Sequence, residues 1–188
     1  MKTAWTRPNT AQYVFLNMGG KILDKLLING INYHLYKNEL LTKIQFGFTP
    51  QRSTIDATIE AKSFIELLLE NRGLVIMTSL DIQRAFDSAW WPGILQGFRD
   101  FNCPRNLYKL SKEFFKNRTV VMTTKNYSIE RGITKGCPQG SCSGPGFWNI
   151  LYNSLLTLEL TSRSKAIAFA DDLVIPTRGE TVAEAETK

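Results

Sequence analysis

The 188-residue chain has few side chains that bind soft metals, and this shortage excludes several classes of site. It contains three cysteines and a single histidine, His34, and it has no Cys-x-x-Cys pair. An odd number of cysteines without regular spacing argues against a disulfide scaffold. A structural zinc site would lack ligands. We therefore expect reduced thiols and an intracellular protein, because structural disulfides belong to oxidising compartments.

Long hydrophobic runs are also missing, and negative charge is in the minority. No apolar stretch approaches the length of a membrane span, and residues 1–10 lack the apolar core of a secretory signal, so we expect no membrane partner. The chain has 23 Lys and Arg against 17 Asp and Glu, a net charge of +6. This excess favours a polyanionic partner such as nucleic acid, although many soluble proteins carry it. A hydrophobic content of 43% suffices for a domain core.

Helical and strand patterns alternate along the chain, which predicts an α+β fold, an α/β sandwich with helices packed on a mostly antiparallel sheet. We see no internal repeat or linker, so we expect a single domain. The predicted helices cover 20–36, 54–70, 90–101, 104–117 and 147–160. The predicted strands cover 74–80, the pair 118–126 and 127–133, and a hairpin over 166–176.

Two adjacent acids, Asp171 and Asp172, interrupt the apolar residues of 166–176. The apolar flanks predict a buried hairpin, and two carboxylates at its tip would repel each other at a high desolvation cost. A divalent cation would remove this cost. The pair therefore indicates a metal site.

A third acid, Asp81, follows the predicted buried strand 74–80. It could be a strand end that faces solvent. If this strand lies beside the hairpin, however, Asp81 meets Asp171 and Asp172. Three carboxylates could then hold two Mg²⁺ ions roughly 3.5–4 Å apart, as in two-metal phosphoryl transfer, and Mn²⁺ could replace Mg²⁺. Mg²⁺ prefers such hard oxygen ligands.

Residues 136–146 (GCPQGSCSGPG) form a third informative segment, with two prolines and four glycines. Such a loop lets the backbone approach a ligand closely. Gln139 is a polar group held between Pro138 and Gly140. Taken alone, the segment is better interpreted as an ordinary turn before a helix.

Four segments in order carry a resemblance to a known family. They are 47–54 (GFTPQRST), 81–87 (DIQRAFD), 136–141 (GCPQGS) and 169–172 (FADD). Over about residues 7–175 the chain resembles the reverse transcriptases of non-LTR (LINE-type) retrotransposons, and it is most similar to the insect group that inserts into ribosomal DNA.

The resemblance implies a right-hand polymerase fold with fingers and palm but no thumb. Residues 1–188 would be one reverse transcriptase domain fragment, with about 1–73 fingers-like and 74–188 mainly palm with an interposed fingers-side helical segment. The implied activity is RNA-directed DNA polymerisation, the transfer of a dNTP to a primer 3′-OH with two metal ions. The implied partners are an RNA template, a DNA primer and dNTP, and the implied site of action is nuclear. The oligomeric state stays open.

The resemblance also assigns roles to individual residues. Asp81, Asp171 and Asp172 would be the catalytic metal ligands. Phe86 would be a steric gate against a ribose 2′-OH, or it would pack in the core. Gln139 would lie along the incoming nucleotide and the template base.

Two arginines complete the implied site. Arg7 would clamp the triphosphate, since guanidinium suits bidentate phosphate contact. Arg52 would touch the template backbone or support the fingers. Trp90 and Trp91 could stack on nucleic acid, but we expect them to anchor a helix in the core.

Two other interpretations stay open. A catalytically inactive retrotransposon remnant could bind nucleic acid without polymerising. A two-metal nuclease would also cluster aspartates, but it would leave Phe86 and the Gln139 loop unexplained.

Overall fold

A computed structural model of the protein describes residues 18–70, 74–123, 127–138 and 140–179. Within these residues it shows an α+β architecture with antiparallel sheets, as predicted. The helices are α1 (Met18–Lys37), α2 (Thr54–Leu69), α3 (Ala85–Ser88), α4 (Trp91–Asp100), α5 (Arg105–Phe115) and α6 (Gly144–Leu156). The strands are β1 (Leu74–Asp81), β2 (Thr119–Thr123), β3 (Ser128–Gly132), β4 (Ile167–Phe169) and β5 (Asp172–Gly179). No helix in this part of the chain is long and apolar enough to cross a membrane.

Helix α2 begins at a capping box. The Ser53 hydroxyl accepts a hydrogen bond from the Asp56 backbone N–H at 3.3 Å, and the Asp56 carboxylate accepts one from the Ser53 N–H at 2.7 Å. This reciprocal pair satisfies two of the backbone donors that a helix start leaves open. Because α2 packs against β1 and the β4–β5 hairpin, the cap fixes the entry of a helix that supports the sheet.

The larger sheet has the strand order β1-β5-β4, and every neighbouring pair is antiparallel. Strand β1 pairs with β5 along its whole length, from Leu74 opposite Gly179 to Asp81 opposite Asp172. Strands β2 and β3 form a separate two-stranded antiparallel sheet. Both the predicted strand pair and the predicted hairpin are thus confirmed.

The prediction that the 74–80 strand is buried is wrong. Most of β1 is exposed, including the apolar side chains of Leu74, Leu80 and Met77, the last with 59% of its surface accessible. Both β1 and β4 are edge strands of the described sheet, but the outer edge of β4 is covered by a backbone bridge from Gln45 to Ala168, so burial follows which segments cover a strand. The buried positions belong instead to β4 and the inner part of β5.

Helix α6 also differs from its predicted range of 147–160. Its first turn forms before Phe147, whose N–H donates to the carbonyl of Ser143 at 2.9 Å. It ends at Leu156, and the apolar residues Leu158 and Leu160 that suggested a longer helix are exposed.

The chain contacts divide into two compact units. The aromatic unit comprises residues 1–32 and 86–148, described from residue 18 onward. Its core stacks Trp91 on Phe115, with ring centroids 5.2 Å apart, and Phe115 lies 4.8 Å from Phe147. The expectation that both tryptophans are core residues holds for Trp91 and is wrong for Trp90, which is 61% exposed.

The aspartate unit comprises residues 33–85 and 149–188, described as far as residue 179. Its core is a cluster of Phe46, Ala57 and Ile167, against which Phe169 and Val174 pack. This cluster joins α2 to the strands of the hairpin that carries Asp171 and Asp172.

Candidate active site

The aspartate turn, residues 169–172, connects β4 to β5. Phe169 lies opposite Asp172 in the antiparallel register, so Ala170 and Asp171 form a two-residue loop. Ala170 has a φ of 59°. A positive φ at the first loop residue is characteristic of the hairpin turns whose twist matches that of the strands, and glycine is the usual residue there.

The structure brings Asp81 to the base of this turn. It is the last residue of β1 and the direct partner of Asp172 in the β1–β5 ladder. Directly opposite residues of an antiparallel pair project from the same face, with Cβ atoms about 4.5–5.5 Å apart. Two of the three predicted acids are therefore cross-strand neighbours, and Asp171 adjoins them in the loop.

The acids themselves are not buried, contrary to the sequence expectation. Asp81 and Asp172 are exposed and Asp171 is half-buried, whereas the flanking Ala168 and Leu173 are buried. The hairpin is thus apolar behind the acids and open to water in front of them. Water screens their mutual repulsion, so the cost of placing the two acids side by side is smaller than burial would make it.

Tyr152, on α6, responds to these charges. Burial and, to a smaller extent, the negative charges of Asp171 and Asp172 together raise the pKa of its hydroxyl to about 12. The loss of its proton would place a third negative charge beside the pair. The pKa of Tyr152 should therefore change when the negative charge at the aspartate turn changes.

The donor set suits a hard divalent cation, because all the candidate ligands are carboxylate oxygens. Their backbone positions fit, with Asp81 and Asp172 in register and Asp171 adjacent. Their side chains are not gathered into a closed site. Across the described ranges, no group of three or more acidic, histidine or cysteine side chains is close enough to hold an ion. The three acids therefore fit such a cation in the chemistry of their oxygens and in the positions of their backbones, but not yet in the arrangement of their side chains.

The segment 44–48 packs against the back of the aspartate turn. The Phe46 N–H donates to the carbonyl of Ala168 at 2.8 Å, and the Ala168 N–H donates to the carbonyl of Ile44 at 3.1 Å. A Cβ atom on Gly47 would lie 2.0 Å from the backbone nitrogen of Ala170. Position 47 therefore needs glycine because the turn approaches it so closely.

Arg52 contacts the protein's own chain at two points. Its guanidinium lies 4.7 Å from the centroid of the Phe46 ring and donates to the carbonyl of Lys43. Both contacts hold Arg52 against residues that precede Gly47. A contact between Arg52 and a template stays a prediction.

In the aromatic unit, the predicted gate residue and the glycine-rich segment are joined through the backbone. The carbonyl of Phe86 accepts a hydrogen bond from the Cys137 N–H at 2.7 Å, and the Phe86 ring lies 5.5 Å from that of Trp148. The Trp91 indole donates to the carbonyl of Gly136 at 2.8 Å. Half-buried Phe86 thus has a packing role, and its role as a gate stays a prediction.

A buried carboxylate that the sequence did not single out holds the other end of this segment. Asp24 accepts hydrogen bonds from the Cys142 N–H at 2.6 Å and from the Ser143 hydroxyl. These donors lie at the start of α6, where a helix favours negative charge. Two more predicted site residues, Arg7 and Gln139, lie outside the described residues.

Comparison with known proteins gives one family over nearly the whole chain. The profile described as "Reverse transcriptase (RNA-dependent DNA polymerase)" matches residues 7–188.

Curated relatives come from insect mobile elements. The chain is 32% identical to a 115 kDa protein of the type-1 retrotransposable element R1DM of Drosophila melanogaster, over 90% of the chain and 16% of that protein. It is 30% identical to the RNA-directed DNA polymerase from the D. melanogaster mobile element jockey, over 87% of the chain and 18% of that protein. The chain thus spans less than a fifth of the length of these relatives.

Solved structures of telomerase have a similar fold. Apo telomerase from Candida tropicalis, truncated from its C-terminal domain, superimposes with a TM-score of 0.62 at 16% identity, over 88% of this chain and 35% of that one. Telomerase from the same organism, bound to a fragment of telomeric RNA, gives a TM-score of 0.63 at 14% identity, over 88% and 29% of the two chains.

Proposed function

Because the chain belongs to the reverse transcriptase (RNA-dependent DNA polymerase) family, we propose that it carries the catalytic aspartates of an RNA-directed DNA polymerase from a non-LTR retrotransposon. The reaction joins the α-phosphate of a dNTP to the 3′-OH of a DNA primer on an RNA template and releases pyrophosphate. The observation that carries this proposal is the register that sets Asp81 opposite Asp172, beside the loop residue Asp171.

Asp81, Asp171 and Asp172 would hold the divalent cations, which we propose to be two Mg²⁺ ions, with Mn²⁺ as a substitute. When bound, such ions lower the pKa of the attacking hydroxyl and stabilise the leaving oxygen. The protein's own contribution is rigidity. Two acids lie on paired strands, and the third lies in a two-residue loop braced by segment 44–48.

The remaining residues would orient the substrates. Phe86 would exclude a ribose 2′-OH, Gln139 would lie along the nucleotide and the template base, and Arg7 would bind the triphosphate. Arg52 would support the fingers or touch the template. We propose further that about 1–73 act as fingers and 74–188 mainly as palm with an interposed fingers-side helical segment, and that the protein acts in the nucleus.

The proposed partners are an RNA template, a DNA primer and dNTP. The net charge of +6 supports binding to polyanions. The curated relative from jockey carries the name RNA-directed DNA polymerase, and one structural neighbour was solved with telomeric RNA. Both are consistent with a nucleic-acid template here.

Primer extension on an RNA template, with Mg²⁺ and with Mn²⁺, tests this function. The assay uses the longest open reading frame that contains the chain. We expect incorporation of dNTP by the wild type and its loss in Asp171→Asn, by at least about a hundredfold, because one ligand carries several kcal/mol of transition-state stabilisation.

The matched control is Asp100→Asn, an exposed acid on α4 whose carboxylate accepts a hydrogen bond from Gln96. It should extend the primer at the wild-type rate. Salt-sensitive nucleic-acid binding without incorporation by the wild type would overturn the proposal and leave a binding-only protein. Equal extension by wild type and Asp171→Asn would refute the role of the aspartate turn.

A further inference from the structure

Gln45 is a buried polar residue directly behind the aspartate turn. Only 3% of its surface is exposed. Its side-chain amide nitrogen donates to the carbonyl of Ala170 at 2.9 Å, and its amide oxygen accepts from the N–H groups of Ala170 at 3.1 Å and Gly47 at 2.8 Å. The backbone N–H groups can only donate, so these partners fix which end of the amide is oxygen. Burial of an amide is costly without such bonds.

The residue that Gln45 grips is the one with the unusual backbone conformation. Ala170 has a φ of 59°, a region that residues with a Cβ atom rarely adopt. Such a conformation persists only where its surroundings determine it. Gln45 binds both the N–H and the carbonyl of Ala170, so its amide acts on the turn as a paired strand would. The next residue is Asp171.

Gln45 is itself held rigidly. Its backbone lies in a parallel bridge with Ala168, formed by the hydrogen bonds of Phe46 and Ile44 to Ala168. The Asn149 side chain donates to the carbonyl of Gly47 at 3.3 Å. The hydrogen bonds of Gln45 to Ala170, together with those of its neighbours, thus connect the aspartate turn to β4 and to α6. A site that must hold carboxylates within a fraction of an ångström needs support of this kind.

We propose that Gln45 is a positioning residue, which sets the conformation of Ala170 and thereby the direction in which Asp171 and Asp172 present their carboxylates. The catalytic consequence rests on the proposed function, whereas the control of the turn conformation does not. Because Gln45 is buried behind the turn, we expect its loss to slow the chemical step and to leave dNTP binding almost unchanged.

The test is Gln45→Met, which keeps the length and the burial of the side chain but removes its hydrogen bonds. We expect a folded protein by circular dichroism, with amide exchange at Ala170 and Gly47 faster by about tenfold or more, because both N–H groups lose the Gln45 amide oxygen as their acceptor. In primer extension we expect kcat to fall by about tenfold or more and KM for dNTP to change by less than about threefold.

Gln96→Met is the matched control. Gln96 lies exposed on α4, where it binds Asp100, so the same substitution should leave exchange at the turn and kcat at wild-type values. If Gln45→Met does not fold, the same exchange and extension measurements are made on Gln45→Asn, whose amide is one methylene too short to reach Ala170.

Unchanged exchange at Ala170 and Gly47 in a folded Gln45 variant would refute the proposal that Gln45 holds the turn. Faster exchange with unchanged kcat would overturn its catalytic consequence. If the wild type incorporates no dNTP, the proposed function fails, and amide exchange still decides whether Gln45 holds the turn.

Discussion

Gly47→Ala should destabilise the protein and displace the aspartate turn. The added Cβ would lie 2.0 Å from the nitrogen of Ala170, 2.6 Å from its Cα and 3.0 Å from the carbonyl carbon of Phe169. All three are backbone atoms, so no side-chain rotation can relieve the contact. To reach ordinary van der Waals separation, the turn would have to retreat by roughly 1.4 Å in a close-packed region.

Backbone strain adds nothing to the expected loss of stability, since Gly47 has no positive φ. Overpacking of this kind costs about 1–3 kcal/mol. The displacement also strains the hydrogen bonds of Gln45, each of which contributes about 1 kcal/mol. Alanine restricts the unfolded chain, which returns about 0.4–1 kcal/mol. We therefore expect a net loss of about 2 kcal/mol in the free energy of unfolding, measured by urea denaturation with far-ultraviolet circular dichroism.

Gly132→Ala is the matched control. A Cβ at position 132 meets nothing within 4 Å, and this glycine also has no positive φ. With no contact to offset it, the restriction of the unfolded chain should raise the stability of Gly132→Ala slightly, by about 0.4–1 kcal/mol. If Gly47→Ala is as stable as the wild type, the backbone of Ala170 does not lie as close to position 47 as the structure shows. Equal losses in both variants would show that the contact with Ala170 is not the cause.

Three further predictions concern charge and capping. Neutralising the turn with Asp171→Asn and Asp172→Asn should lower the Tyr152 pKa from about 12 but leave it above that of a free tyrosine, because burial is the larger cause; an unchanged pKa in ¹³C NMR titration would contradict this. Ser53→Ala should cost about 1 kcal/mol in urea denaturation because α2 loses its N-cap, and a change near zero would argue against the capping box. Hydrogen bonds from Ser53 lower the pKa of Asp56. The stabilisation by Asp56 should therefore be present at neutral pH and lost as the pH falls through that lowered pKa. A wild-type advantage over Asp56→Ala that persists in strong acid would disprove it.

The elements could be predicted from local patterns, but their burial could not. Branched and aliphatic residues marked β1 as a strand, yet Met77 and Leu80 are exposed because burial depends on which elements cover a strand. The same holds for α1, where the apolar pattern is correct for a helix. Leu27 and Ile31 are buried, whereas Leu26 is exposed.

The aspartates could be found from sequence because their signal is local and chemical. Acids within an apolar strand pattern are unusual because their burial would be costly, so they marked the turn even though the structure leaves Asp81 and Asp172 exposed. Gln45 carries no such signal. Its partner Ala170 is 125 residues away, and a glutamine in a loop before a helix looks ordinary. The positive φ of Ala170 was equally hidden, because that conformation is normally marked by glycine.

The central claim is that Asp81 acts together with the aspartate turn in nucleotide addition. The most direct test is the rate of addition of a single dNTP to a primer on an RNA template, across a range of Mg²⁺ concentrations. We predict that the wild type extends the primer and that Asp81→Asn is slower by at least about a hundredfold at every concentration. Extension by Asp81→Asn at the wild-type rate would contradict the assignment of this cross-strand pair as the catalytic centre.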